Sequence, residues 1–477
     1  MIKAQAQQKV TVKPSMPSSK RSALHVDITS YHSDHLETFT IARILPAAEN
    51  EDQCLAFFFQ NYVVNNKKFH PSISMVGNEH LFASIRALST AGLSKYHSDI
   101  SLSHSASHRY VKALSLTNTA LSNTQSAIRD ETLLAILILT SYETLTGGSN
   151  RSLEAWVQHI NGATTLLRLR GVEGIKHTDG RVLTMHVIAF VNITCLLNDI
   201  PTPPFIYELQ SKIFEYLYEP ESPAARYQHV NLRYTDFNHA FQHHLFSDPD
   251  EIIARALTLE AEMIAALVDM PTFWQAEVIQ PAVVQNTKAV EGGVPDFEVR
   301  YTDQGTSYIW NSFYSSRILL REAVLKTAQE AESGNTNVSK YVELKNQSRS
   351  IMRDCQKHIL ASIPPFMRSK TCSGFLLPGK RMQETIKSDG LLHRPCRATK
   401  TARTDRELVP EAFVCELPVM HALGGYGFLW PLLVAGHCST ATPEILEYVR
   451  KMYQVLGKEM KIEQALVLRD VLDSIMI

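Results

Sequence analysis

Two histidine pairs in the chain have the spacing of metal ligands. In "DFNHAFQHHLF", His239 and His243 are four residues apart with Asp236 upstream, and in "SHSASH" the pair is His104 and His108. On a helix, residues four apart lie on one face, so both imidazoles can approach one ion. Neither pair carries the glutamate of the H-E-x-x-H motif, and 19 histidines produce such spacings by chance. We therefore predict surface or packing histidines and no metal site.

Residues 374–381, "GFLLPGKR", match the G-x-x-x-x-G-K part of a phosphate-binding loop. The chemistry of that loop is incomplete here. Arg381 replaces the hydroxyl that would bind magnesium, and Pro378 removes a backbone N–H from the phosphate cradle. The pattern indicates neither a preceding strand nor a following helix, so we predict no nucleotide cofactor.

The stretch "SLEAWVQHINGATTLLRLRG", residues 152–171, has the pattern of one amphipathic helix. Ser152 is a suitable N-cap, and Gly171 is a suitable end. Apolar residues recur at spacings of three and four and form one continuous stripe, which is typical of a packing face. The stripe consists of Leu153, Trp156, Ile160, Ala163 and Leu167.

Two further residues of this helix raise the question of a site. Gly162 lies within the stripe at a cost of about 1 kcal/mol relative to alanine, which predicts that another helix crosses closely there. His159 lies beside Trp156 and can hydrogen-bond to a neighbouring helix. Because no carboxylate or cysteine stands at ligand spacing, we interpret the stretch as a packing surface.

The seven cysteines are odd in number, widely spaced and free of any C-x-x-C pair. This pattern favours reduced intracellular thiols over a disulfide framework or a zinc module. The chain also has no G-x-S-x-G elbow, no G-x-G-x-x-G after a strand and no helical E-x-x-H pair. We assign no catalytic, cofactor-binding or metal residues, predict no cofactor, and lean against an enzyme, although absent motifs leave room for an unusual one.

The net charge is -1 over 477 residues, which indicates no global electrostatic footprint for nucleic acid or for an anionic membrane. Residues 1–50 begin with a segment that contains lysine, arginine, serine and proline but no acid, and we interpret them as a flexible basic arm. Residues 51–477 show helical periodicity throughout. The predicted fold class is all-α, a large multi-helix domain packed around one extended core.

The periodicity predicts helices at 52–64, 79–95, 104–122, 129–146, 152–171, 181–198, 205–218, 249–268, 305–331, 340–361, 418–436 and 442–476. Irregular connections are predicted at 146–151, 219–235, 270–298 and 368–410. We interpret the last as a mobile surface loop or a functional insertion.

Residues 417–443 contain no charged side chain and are long enough to span a membrane. However, Gly424, Gly425, Gly427 and Pro431 interrupt the segment. We predict a buried core helix with close glycine contacts and no membrane partner.

Several segments occur in an order that resembles one family. They are "LAFFFQNYV" at 55–63, "DETLLAILILTSYETLTG" at 130–147, "WVQHINGATTLLRLRG" at 156–171, "WNSFYSSRILLREAVL" at 310–325, "DCQKHILASIPPF" at 354–366, "GGYGFLWPLLVAG" at 424–436 and the terminal "LGKEMKIEQALVLRDVL". Together they resemble the fungal-specific transcription factor domain, the helical regulatory half of zinc-binuclear-cluster transcription factors.

The resemblance implies an all-helical domain that regulates transcription, often of a biosynthetic gene cluster, by sensing a signal or contacting other factors. It supplies no catalytic residues. Trp156, His159 and Gly162 match the family's W-x-x-H-x-x-G-A stretch as fold-defining positions, and Trp310, Asn311 and Arg317 are similar to its W-N-x-x-R helix.

The chain departs from the family pattern at its beginning. Family members usually start with six cysteines that bind two zinc ions, whereas the first cysteine here is Cys54. We therefore expect a nuclear regulator that acts without its own zinc cluster, through a partner on DNA, or whose cluster-encoding exon is missing. A cytoplasmic location is the alternative. The expected partners are other transcription factors or a homodimer partner, with a small-molecule effector and no direct sequence-specific DNA contact.

Two other hypotheses stay open. The helical domain can have been repurposed as a small-molecule binding protein or a biosynthetic enzyme, because a large apolar interior with scattered histidine, tyrosine and tryptophan can form a pocket. It can also be an interaction scaffold or a dominant-negative dimer partner.

Overall fold

A computed structural model describes residues 54, 57, 58, 62, 78–216, 223–268, 270, 274–279, 294–301, 304–332, 338–368, 426–458 and 460–475. Several predictions lie outside the described residues. They concern the arm at 1–50, most of the helix at 52–64, the loop at 369–410 with the segment 374–381, and residues 417–425.

Helices dominate the described part of the chain, which confirms the all-α class. In chain order they are α1 (Glu79–His97), α2 (Ile100–Leu121), α3 (Thr124–Ala127), α4 (Asp130–Thr146), α5 (Asn150–Arg170), α6 (Thr178–Asn198), α7 (Pro204–Tyr216), α8 (Pro223–Gln242), α9 (Pro249–Leu267), α10 (Gln304–Glu332), α11 (Val338–Arg368), α12 (Leu429–His437), α13 (Pro443–Lys458) and α14 (Gln464–Ile475). Short 3-10 turns follow α5 at Gly171–Ile175 and precede α12 at Tyr426–Phe428.

A small antiparallel strand pair interrupts the helical pattern between α9 and α10. Strand β1 (Glu277–Ile279) pairs with β2 (Glu298–Arg300), with Val278 opposite Val299. Val299 is buried, and β2 packs against α11. The sequence analysis treated this region as irregular because three-residue strands are too short to show an alternating pattern.

In the part of the chain that the structure describes, the buried apolar residues form three clusters. The first core lies among α1, α2 and α4, and the second lies among α4 to α7. The third and largest is built from α8 to α14. The prediction of one extended core is therefore refined into three.

Helix α4 contributes to both of the first two cores. Ile138 and Tyr142 face the first core, while Leu133 and Leu137 face the second. Its sequence is apolar nearly all round, and a helix of this kind is stable in water only when other elements cover every side. The burial predicted for this helix is confirmed.

One helix among the described residues, α6, is long and apolar enough to cross a membrane by length and composition. Of its most apolar window, 56% is buried inside the protein. Leu183, Val187 and Val191 of this helix lie in the second core beside Trp156. These contacts are those of a core helix.

The apolar segment near the C-terminus contains the short helix α12, which lies in the third core. A Cβ added at Gly427 would overlap the ring of Tyr308, and one added at Gly436 would lie 3.1 Å from a methyl carbon of Leu472. The close contacts predicted at the glycines of this segment are therefore confirmed at Gly427 and Gly436.

Three predicted boundaries are wrong. Residues 223–235, predicted as part of the irregular connection at 219–235, belong to α8, whose periodicity is hidden because its aromatic and polar residues are buried on several sides. The predicted single helix at 442–476 is divided into α13 and α14 at Lys461, whose φ of 62° turns the chain. Helix α11 continues past residue 361 through Pro364 and Pro365.

Two details of the stretch 152–171 are also wrong. Helix α5 starts at Asn150 after Ser149, so Ser152 lies inside the first turns. A Cβ added at Gly162 would meet nothing within 4 Å, so none of the helices that the structure describes crosses closely there. Gly171 ends the helix as predicted, with a φ of 52° that favours glycine.

The two glycines Gly162 and Gly427 should therefore respond oppositely to alanine. Gly162→Ala should raise the free energy of unfolding by up to about 1 kcal/mol, because alanine has the higher helix propensity and the space is open. Gly427→Ala should lower it by about 1–3 kcal/mol through overpacking against Tyr308. Urea unfolding curves of the two variants and the wild type measure both changes. A destabilised Gly162→Ala protein would show that this position is packed after all.

Candidate functional site

A buried polar network connects α2, α4 and α5 at the edge of the first core. The hydroxyl of Tyr110 donates to the carboxylate of Glu143, and Nε2 of His159 lies 3.0 Å from the same hydroxyl. The only proton of the hydroxyl is used in the hydrogen bond to Glu143, so His159 must be the donor in the second bond. The ring of Tyr110 stacks on Tyr142 at 4.2 Å. Ser152 also hydrogen-bonds to Glu143.

Burial controls the protonation of this network, which we call the Tyr110 network. It lowers the pKa of His159 to about 4, so the imidazole is neutral near pH 7. Burial also raises the pKa of Glu143, against the opposing effect of its hydrogen bonds from Tyr110 and Ser152. The network contains no cation, so the hydrogen bonds from these two hydroxyl groups are what stabilise the carboxylate of Glu143. The arrangement holds three helices together through neutral donors and one acceptor.

The remaining landmarks of α5 pack as the apolar stripe predicts. Trp156 is buried and meets Phe190 edge to face, with ring centroids 5.7 Å apart. Ile160, Ala163 and Leu167 lie in the same second core. The stretch is therefore a packing surface, and its histidine belongs to the Tyr110 network.

A charged centre lies inside the third core between α9 and α10. The carboxylate of Glu260, 3% exposed, accepts from Arg317 Nε at 2.9 Å and also pairs with Arg321. The guanidinium of Arg317 additionally lies 5.4 Å from the ring centre of Phe313. Each charge is removed from water, so each depends on the others for its stability.

The other landmarks of α10 make local structural bonds. Trp310 Nε1 donates to the carbonyl of Trp274 at 2.7 Å. The amide of Asn311 donates to the carbonyl of Ser307 at 2.9 Å and accepts from the hydroxyl of Ser362 of α11 at 3.2 Å. These side chains fix α10 against its neighbours.

Three buried thiols, those of Cys195, Cys355 and Cys438, are poor nucleophiles near neutral pH. Burial raises the pKa of Cys195 and of Cys438 to about 11, and that of Cys355 to about 12. A thiol with a pKa in this range stays protonated, and the protonated form neither attacks an electrophile nor ligates a metal readily.

The two histidine pairs have different surroundings. His104 and His108 are exposed on α2. His239 and His243 lie instead beside Asp199, which comes 40 residues before His239 at the end of α6. The upstream Asp236 is not part of this group.

Asp236 has other partners. Its carboxylate accepts from the hydroxyl of Tyr207 at 2.5 Å and from the backbone N–H of Thr202 at 2.7 Å. Asp236 is the carboxylate near the histidine pair in the sequence, but Asp199 is the one beside the pair in space. Sequence spacing cannot show which helix end folds back onto α8.

The described structure thus defines a multi-helix domain in which the landmark residues maintain packing. Comparison with known families gives its class: the fungal specific transcription factor domain matches residues 42–252. The matched segment covers the first two cores and helices α1 to α8, and it contains the landmarks at 55–63, 130–147 and 156–171, whose resemblance to this family is confirmed there. The match supports a role in regulating transcription. No curated protein and no solved structure matched the chain.

The charged centre predicts a large difference between two glutamates of α9. Glu260→Ala should lower the free energy of unfolding by about 3–5 kcal/mol, because it leaves two largely buried arginines without their partner. Glu251→Ala is the matched control, since its pair with Arg255 is exposed and worth about 0.3–0.5 kcal/mol. Guanidinium unfolding followed by circular dichroism measures both. Equal losses in the two variants would mean that the centre is solvated.

The Tyr110 network predicts an acid-sensitive contribution to stability. The pKa of His159 is 6.5 in the unfolded chain and about 4 in the folded protein. Between pH 6.5 and pH 4 the unfolded chain therefore binds more protons at this residue than the folded protein does. Stability is therefore lost as the pH falls through this window, by about 2 kcal/mol between pH 7 and pH 5. His159→Gln should remove this loss while keeping a donor for Tyr110.

The measurement is the free energy of unfolding at pH 7 and at pH 5. His104→Gln, at an exposed position of α2, is the control and should follow the wild type. Glu143, whose raised pKa contributes with the opposite sign, is present in all three proteins. An unchanged pH dependence in His159→Gln would contradict the assignment of a neutral buried imidazole.

Proposed function

We propose that the chain regulates transcription of a fungal secondary-metabolite gene cluster in the nucleus. The observation that supports this proposal is the match of the fungal specific transcription factor domain to residues 42–252. The Tyr110 network and the charged centre agree with a regulatory role, since the polar groups of each bind one another and hold helices in place.

DNA recognition in this proposal comes from a module outside these 477 residues. The sequence has no C-x-x-C pair and a net charge of -1, so it carries neither a zinc-cluster motif nor an overall positive charge for phosphate contacts. The helical domain contacts a zinc-cluster transcription factor, and that factor brings it to promoters.

Deletion of the gene tests the regulatory role. Transcripts of the neighbouring genes should rise or fall together in the deletion strain, and a wild-type copy should restore them. A tagged copy should locate to the nucleus, occupy the promoters of those genes and co-purify a zinc-cluster factor. Glu260→Ala, which breaks the charged centre, should fail to restore the transcripts, whereas Glu251→Ala should succeed.

The opposite outcome is equally clear. If transcripts stay unchanged while one small molecule accumulates, the protein acts in metabolism and the regulatory proposal is wrong. If the tagged protein occupies promoters after its partner factor is deleted, it has a DNA-binding module of its own.

A small-molecule effector is a second candidate, favoured by two buried polar atoms. The hydroxyl of Tyr301 and Nδ1 of His358 have no hydrogen-bond partner among the described residues. The ring of His358 stacks on Tyr314 at 4.9 Å and meets Phe297 edge to face. Unpaired polar atoms beside aromatic rings are what a flat polar molecule would satisfy.

Equilibrium dialysis against an extract of the culture tests this candidate, with mass spectrometry of the retained compounds. A compound should be retained by the wild type and lost from the double variant Tyr301→Phe, His358→Phe. Tyr216→Phe, at an exposed tyrosine, should retain it. Retention of nothing by the wild type would count against an effector among the compounds present.

A further inference from the structure

Two helix ends meet where the sequence showed only a histidine pair. Helix α6 ends at Asp199, which has the left-handed angles φ 52° and ψ 49°, and Ile200 N–H closes the turn onto Cys195 O at 3.0 Å. The turn that follows α8 closes in the same way. His244 has a φ of 52°, and the N–H of Leu245 donates to the carbonyl of Ala240 at 2.9 Å. The left-handed residue in each case lets the chain satisfy its last carbonyls and turn sharply.

The turn after α6 places Asp199 against the last turn of α8. His239 Nδ1 lies 2.8 Å from the backbone carbonyl of Asp199 and 3.8 Å from its Oδ1. His243 Nε2 lies 3.1 Å from Asp199 Oδ2, and the two imidazole rings are 4.4 Å apart. One ligand atom from each of the three residues lies within 4.8 Å of the others.

The hydrogen bond to the carbonyl fixes the state of His239. A carbonyl oxygen only accepts, so Nδ1 is the donor in this bond and Nε2 is the ring nitrogen that the bond does not use. Metal-binding histidines in proteins commonly use their other nitrogen in this way, since the bond fixes the orientation of the ring and its tautomer.

Two further features favour a cation at this place. Asp199 Oδ1 is out of contact with solvent and has no hydrogen-bond partner among the described residues. An unpaired carboxylate oxygen of this kind is costly unless a cation satisfies it. The C-terminal ends of α6 and α8 also both carry partial negative charge, and they meet here.

We propose that Asp199, His239 and His243 bind one divalent transition metal ion of the zinc class. Two imidazoles and one carboxylate are ligands that zinc accepts, and a fourth position stays open to water. Ligand atoms around a tetrahedral zinc are about 3.3 Å apart, so the group must close slightly around the ion. His243, whose side chain is 50% exposed, has the freedom to rotate inward.

The ion links the ends of two helices that are 40 residues apart in the chain. It stabilises the folded state by mass action, because the three ligands come together only after α6 and α8 have packed. Without metal, the same residues form a histidine–aspartate contact. The experiment must therefore distinguish a metal site from a histidine–aspartate contact that binds no ion.

Zinc binding to the metal-free, full-length protein is the test. The protein competes with a chromogenic chelator for ZnCl2, and one equivalent should bind with saturation. His243→Ala and Asp199→Asn should each weaken binding at least tenfold. Asparagine tolerates the left-handed backbone at residue 199, so this variant removes the charge while keeping the turn.

His244→Asn is the matched control. It replaces the adjacent exposed histidine, also left-handed, and should bind zinc as the wild type does. Zinc should raise the melting temperature of the wild type and of His244→Asn, but not that of His243→Ala. With Co²⁺ as the probe, the absorption spectrum should lack the charge-transfer band of thiolate ligands, which separates this site from binding by cysteine.

Three results would overturn the proposal. They are the absence of saturable zinc binding, equal loss of affinity in His244→Asn and His243→Ala, and a thiolate band in the cobalt spectrum that survives in Asp199→Asn. The last would locate the ion at cysteines.

Discussion

The need to cover α4 on every side determines the arrangement of the first half of the domain. A helix with no polar face cannot lie at a surface, because exposed apolar area costs about 25 cal/mol per Å². Helices α1 and α2 cover one side, and α5 and α6 cover the other. Two cores therefore share one central helix. A change in α4 should affect both cores, since each uses it as a wall.

Buried polar groups then determine which helices meet and in what alignment. The Tyr110 network forms only when α2, α4 and α5 bring one group each to the same place. The charged centre likewise requires α9 and α10 to align Glu260 with two arginines. Apolar contacts tolerate small shifts, but a buried donor or charge that misses its partner loses several kcal/mol. These buried polar groups therefore make one alignment of the helices more stable than slightly shifted alignments.

A domain built in this way is suited to regulation by contact. Its landmark residues contact neighbouring helices, and the thiols of Cys195, Cys355 and Cys438 are protonated near neutral pH. A regulator of transcription requires such a stable scaffold, together with places where a signal can act. The proposed metal site lies at such a place, because it joins the ends of two helices that already meet through a hydrogen bond and a histidine–aspartate pair.

Much of the fold could be predicted from the sequence. The periodicity of α5 and the apolar character of α4 identified buried helices, and the ordered landmarks identified the family, because these features depend on neighbours within a few residues. Helix α8 could not be recognised, since its buried aromatic and polar residues surround it on several sides and leave no stripe. The open space at Gly162 was equally hidden, because a glycine in a stripe does not reveal whether another helix crosses it.

The candidate sites depended most on the tertiary structure. The spacing of His239 and His243 was visible, but only the fold shows that Asp199, and not the upstream Asp236, lies beside them. Glu260 likewise has no sequence signal that connects it to Arg317. The sequence by itself determined most of the helices and their apolar faces, because both follow from local periodicity. Only the tertiary structure decided which polar side chains meet, because that depends on where distant helices end and cross.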